Sequence, residues 1–168
     1  MKNILLTAFC AVCLPVLGQV KNAGCFLKMV QPENSCSLCM DNDSVKIAFE
    51  FNSLNYFCNV KVDNKTNNVI SVDWDKFIMV MEGESNSIMF DDTRMIDKNE
   101  KKGSTNIAPG TSINKNIAPA DYIDLSMALY NKGWIKKHGD QQIGFVIPVS
   151  FGNSEKNYTC IINVSQNE

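Results

Sequence analysis

The sequence predicts an all-β chain, an antiparallel β-sandwich of about eight strands with room for one short helix. Three observations predict it. Apolar and polar residues alternate with period two in short runs between Val45 and Val164. Clusters of turn-forming residues separate the runs, Asp63-Asn64-Lys65-Thr66-Asn67-Asn68 being the densest. No long helical pattern alternates with these runs, which argues against a parallel α/β sheet.

The first run places Val45, Ile47, Phe49 and Phe51 on one face, with Lys46 and Glu50 on the other. Tyr56, Cys58, Val60 and Val62 follow, opposed by Asn59, Lys61 and Asp63. Beyond the turn, Ile70, Val72 and Trp74 alternate with Ser71, Asp73 and Asp75. Residues 77–81 and 87–90 flank Glu82-Gly83-Glu84-Ser85-Asn86, which reads as a hairpin reversal. The polar stretch 91–104 reads as a surface loop. Asn106-Ile107-Ala108-Pro109 returns as Asn116-Ile117-Ala118-Pro119, which suggests two similar strand starts rather than a repeat architecture. Over 121–130, an initial Asp, the spacing of Leu125 and Leu129, and Gly133 beyond suit a short helix. Ile143, Phe145, Ile147, Val149 and Phe151 share the face of a later strand, which Pro148 assigns to an edge or a bulge. Tyr158, Cys160, Ile162 and Val164 form the last strand. The expected core contains Val60, Val72, Trp74, Phe145, Ile147 and Ile162. Tyr158 lies two residues before Cys160 and Trp74 follows Cys58, so the sandwich is expected to be immunoglobulin-like.

Composition bounds the rest. The chain has 168 residues, a length that suits one domain, and its 45% hydrophobic content allows a real core. A net charge of −2 argues against a nucleic-acid partner, which calls for a basic excess or stripe. The start differs in kind: Lys2 precedes an almost wholly apolar stretch over 4–17, and Val16-Leu17-Gly18 supplies small or slim residues at a cleavage site. This is the layout of a secretory signal, too short to span a bilayer. The expected organisation is a signal peptide over 1–18, an irregular cysteine-containing segment over 19–42, and a sandwich domain over 43–165. Export then places the protein in the periplasm, at the outer membrane or outside the cell. A membrane attachment is expected only if Cys25, which follows Ala23-Gly24, is acylated; Asn22 and Lys21 spoil the apolar run such a site needs.

Removing Cys10 and Cys13 with the leader leaves Cys25, Cys36, Cys39, Cys58 and Cys160, an odd set in a compartment that permits disulfides. Cys58 and Cys160 lie on apolar strand faces in similar settings, so either a bridge joins them or both pack as buried thiols. Cys36-Ser37-Leu38-Cys39 has redox and metal spacing, but no helix follows it to lower a thiol pKa and no second ligand pair completes a zinc site. A disulfide within Cys25, Cys36 and Cys39 is the better expectation. His138 is the sole histidine, and no nucleophile elbow, HExxH or Walker loop is present. No catalytic residue, cofactor or metal is therefore expected. Asp73, Asp75, Asp91 and Asp92 remain available to a hydrolase. Trp134, Lys136 and Lys137 combine an aromatic with cations on a loop, a candidate recognition element for phosphate, anionic glycan or lipid headgroups.

The segment Val62-Asp63-Asn64-Lys65-Thr66-Asn67-Asn68-Val69-Ile70-Ser71-Val72-Asp73-Trp74-Asp75-Lys76 resembles a recurring stretch in uncharacterised exported proteins and lipoproteins of Bacteroides-type bacteria. Ile107-Ala108-Pro109-Gly110-Thr111-Ser112 looks like their later strand start. The resemblance implies an immunoglobulin-like fold and an envelope location, and carries no activity. The expected function is a non-enzymatic module binding an envelope protein or glycan. The alternative is an envelope enzyme, either a carboxylate hydrolase or a thiol protein using Cys36 and Cys39.

Overall fold

The computed structural model describes residues 18–33, 37–52, 54, 56–121 and 128–166. Residues 1–17 of the expected leader, Cys36 of the CxxC pair, and 122–127 of the expected helix lie outside the described residues. The strands are β1 (Val20–Asn22), β2 (Cys25–Gln31), β3 (Cys39–Asp41), β4 (Val45–Phe51), β5 (Cys58–Asn64) and β6 (Ile70–Asp73). They continue as β7 (Ile78–Met81), β8 (Glu84–Phe90), β9 (Ser104–Ile107), β10 (Ser112–Pro119), β11 (Gln141–Phe151) and β12 (Ser154–Ser165). Helix α1 (Lys132–His138) precedes β11.

Every pairing among these strands is antiparallel. One layer runs β1-β2-β12-β11, with β7 and β6 along successive stretches of β11; the other runs β10-β5-β4-β3. The layers are not separate sheets. Residues 84–87 of β8 pair with β7, and Ile88, Met89 and Phe90 pair with β10. A strand that changes partners midway makes a corner, and the sheet curls through it from one layer to the other.

The all-β antiparallel expectation holds, and twelve strands are present among the described residues where about eight were expected. The segment 19–42, expected to be irregular, contains β1, β2 and β3. In β2, Cys25, Leu27 and Met29 are buried while Lys28 and Val30 face outward, a period-two pattern that long-range pairing with β12 completes. The described helix, α1, lies just beyond the expected segment 121–130. Asn131 caps it, its Oδ1 accepting from the Gly133 N–H (2.7 Å) and the Trp134 N–H (3.2 Å). Gly139, at φ +94°, ends it, so Gly133 stands inside the first turn rather than past the last. Pro148 sits where the neighbour of β11 changes from β7 to β6, an interruption that tolerates a strand proline. The two Asn-Ile-Ala-Pro segments close β9 and β10 rather than opening them.

Val60, Val72, Trp74, Phe145, Ile147 and Ile162 are all buried, as the alternation requires. Phe49 of β4 stacks on Phe145 of β11 with ring centroids 4.4 Å apart, joining the layers. Full burial of such a ring contributes on the order of 2–3 kcal/mol.

One buried polar side chain holds the loop end of both layers. Asn64 Nδ2 donates to the carbonyls of Asn68 (2.7 Å) and Ile107 (2.9 Å), and its Oδ1 accepts from the Thr66 N–H (2.9 Å) and hydroxyl (2.8 Å). Its backbone bonds Thr111 and Gly110. The amide is thus saturated, and it ties the β5–β6 turn to the ends of β9 and β10. Asn64→Ala would strand the buried Ile107 carbonyl, at about 1–3 kcal/mol per unmet group. The expected loss is about 3 kcal/mol, read in urea unfolding, with a fall in Tm of roughly 6–12 °C. An unchanged midpoint would show that the hub is dispensable.

Candidate functional site

The inward commitment of Ile47, Phe49 and Phe51 turns Lys46, Ala48 and Glu50 outward on β4. On β5 the same logic exposes Asn59 and Lys61, and on β10 it exposes Asn114 and Asn116. Register then sets these side chains in rows. Glu50 opposes Asn59, and Asn59 opposes Asn116; in the next row Ala48 opposes Lys61, and Lys61 opposes Asn114. Small Ala48 leaves the floor low. Val20 and Asn22 of β1 and the approach to β3 at Ser37, Leu38 and Cys39 border the hollow. The resulting cleft encloses about 490 Å³. A second cleft of about 290 Å³ shares Glu50, Asn59 and Asn114 with it and adds Asn52, Phe57, Asp91 and Asn116. The two form one groove.

A hydrogen-bonded relay crosses the groove floor. Asn59 Nδ2 donates to Asn116 Oδ1 at 2.7 Å, and Asn116 Nδ2 donates to Asp91 Oδ2 at 2.6 Å. Among the described residues the side chains of Glu50 and Asn114 make no hydrogen bond or ion pair. Lys61 pairs with Asp63 at 3.1 Å. The floor therefore offers oriented amides and carboxylates in a concave site. Sequence reasoning singled out Asp91 alone. The missed signal is asparagine itself, which strands disfavour, yet which recurs on outward positions of β5 and β10.

The residues expected to form a recognition loop lie elsewhere. Trp134, Lys136 and Lys137 belong to α1 and do not line this groove. The Trp134 ring lies 4.7 Å from that of His138, and Ile135 anchors the helix in the core. Lys136 and Lys137 are exposed in the last turn, where cations oppose the helix dipole favourably. The candidate hydrolase carboxylates do not gather. Asp75 accepts from the Lys102 N–H (2.7 Å) and the Gly103 N–H (3.1 Å), which hold its carboxyl below the usual range. Asp73 pairs with Lys76, and Asp91 and Asp92 line different clefts. Among the described residues no group of three His, Cys, Asp or Glu could hold a metal ion.

The Cys58–Cys160 bridge does not form: both are buried and carry free thiols. They occupy β5 in one layer and β12 in the other, each packed as a small apolar residue. Burial pushes the Cys160 thiol up to about 12, with Cys39 adding to the rise, and raises Cys58 further. Neither is a nucleophile at neutral pH. Cys39 is half-buried, while its CxxC partner Cys36 lies outside the described residues. Cys25 is fully buried at the start of β2, and cleavage before it would remove β1. That geometry weighs against a lipid anchor at this position.

Neither the protein-family models nor the curated protein sequences give a match to this chain. Among solved structures, the crystal structure of a protein from Archaeoglobus fulgidus is similar at 10% identity and a TM-score of 0.33. That similarity covers 87% of this chain and 94% of the archaeal one.

The raised thiols link stability to pH. A thiol whose folded pKa exceeds its unfolded value of about 8.5 stabilises the fold fully below that value. The contribution is lost as pH climbs through the folded pKa. Stability is therefore expected to decline from about pH 8.5 towards pH 12, with Cys160→Ala showing a shallower decline. Urea midpoints across that range measure it; equal slopes for variant and wild type would remove Cys160 as a cause.

Proposed function

We propose that this chain is an exported, envelope-associated binding module whose recognition surface is the groove on β4, β5 and β10. The observation that carries the reading is the Asn59–Asn116–Asp91 relay, which fixes polar side chains in a concave site before any ligand arrives. Preorganised groups of this kind bind without the ordering cost of free side chains. A role without catalysis is supported by the buried, raised thiols of Cys58 and Cys160 and by the structural use of Asp73 and Asp75.

Export is supported by the Lys2 and 4–17 leader, with cleavage after Gly18. Such a cut leaves one residue, Gln19, ahead of β1 and keeps every described strand whole. Intact-mass analysis of protein from its native host is expected to give a chain beginning at Gln19. A cytoplasmic chain beginning at Met1 would end this part of the reading.

Binding is tested by the envelope material that the protein retains on a column. Asn59→Leu with Asp91→Ala is expected to reduce retention at least tenfold, as loss of a charged hydrogen bond of about 1.5–3 kcal/mol requires. Trp134→Ala with Lys136→Ala is expected to leave it unchanged. The reverse pattern would transfer recognition to α1.

A further inference from the structure

We propose that the groove takes a neutral, polyhydroxylated chain, a glycan, and that Glu50 and Asn59 accept hydrogen bonds from its hydroxyls. The inference rests on reading the groove as the binding surface. The direction of the relay carries it.

An ionised carboxylate can only accept. Asp91 therefore takes the Asn116 Nδ2 group, which turns Asn116 Oδ1 to meet Asn59 Nδ2. Asn59 Oδ1 is left as an oriented acceptor with no partner among the described residues. Directly opposite it in register stands Glu50, whose carboxylate is likewise without a partner there. Side chains opposed in this way have Cβ atoms about 5 Å apart. Two neighbouring acceptors with no donor between them call for a ligand that brings donors.

Charge narrows the class. Glu50 and Asp91 repel phosphate, sulfate and carboxylate groups, and the cation beside them, Lys61, is drawn to Asp63. An apolar segment would bury carboxylates without hydrogen bonds, at a cost of several kcal/mol. Hydroxyls satisfy both demands, because each donates and accepts. The Asn114 amide adds donors for hydroxyl or ring oxygens, and half-buried Phe57 gives the groove an apolar surface against which a sugar ring can rest.

The test is native affinity electrophoresis of the full chain in gels containing dextran, laminarin, xylan, galactomannan or amylopectin, with polygalacturonate as the anionic probe. At least one neutral polysaccharide is expected to retard the protein, and polygalacturonate is not. Glu50→Gln replaces an acceptor with an amide that also donates, and Asn59→Leu removes the second acceptor. Each is expected to weaken the retardation at least tenfold at an unchanged Tm. Asp91→Asn keeps the size of the side chain but releases the relay direction, and is expected to weaken binding less than Asn59→Leu. Retardation by polygalacturonate alone, by none of the neutral probes, or equally in wild type and both groove variants would overturn the proposal. If no probe binds while Asn59→Leu with Asp91→Ala still loses envelope material, the glycan class fails and the groove remains the binding surface.

Discussion

An unbroken series of ring contacts runs through the interior and holds the two layers at one spacing. Phe49 stacks on Phe145, Phe145 meets Phe77 edge-on, Phe77 lies against Trp74, and Trp74 meets Phe90 edge-on. The series begins on β4, crosses to β11, follows the link between β6 and β7, and ends on β8. Each contact adds about 0.5–1.5 kcal/mol beyond the area it buries. Its larger effect is geometric, because close-packed rings transmit strain rather than absorb it. The Trp74 indole N–H is also satisfied, by the Thr105 hydroxyl at 2.9 Å, so the largest side chain in the core carries no unmet donor.

The groove depends on that interior. Phe49 and Phe51 lock β4 so that Ala48 and Glu50 must face outward, and the pairing of β5 with both neighbours then fixes which amides meet. A slip of one residue would bury Asn59 and expose Cys58. The groove face is thus the reverse side of the packed one, and the same register builds both. Asn64 contributes at the far end of β5, where its saturated amide stops the strand from sliding.

Strand periodicity was legible wherever both faces announce themselves, as in β4, β5, β6, β11 and β12. Segment 25–31 was harder to read, since its cysteine and the nearby Pro32 suggest irregular chain, and its partner β12 lies at the opposite end of the sequence. Helix α1 went unread, although Asn131 as cap and Gly139 as stop mark its bounds in the sequence. Residues of the groove were visible only singly. Glu50, Asn59, Asn116 and Asp91 come from four segments, and each alone looks like ordinary solvated surface. Register makes them a site, and register is a long-range property.

The corner at β8 sets how the domain behaves as a whole. Its first half is a rung of one layer and its second half a rung of the other, with no break between. Neither layer can detach while the other persists, since opening either one strips hydrogen bonds from the same seven-residue strand. The two layers are therefore a single mechanical unit. A chain divided at the Glu82-Gly83 turn would leave β8 on one fragment and its partner β7 on the other, so each fragment would present an unpaired edge matched to its complement, the basis of a split protein that reassembles.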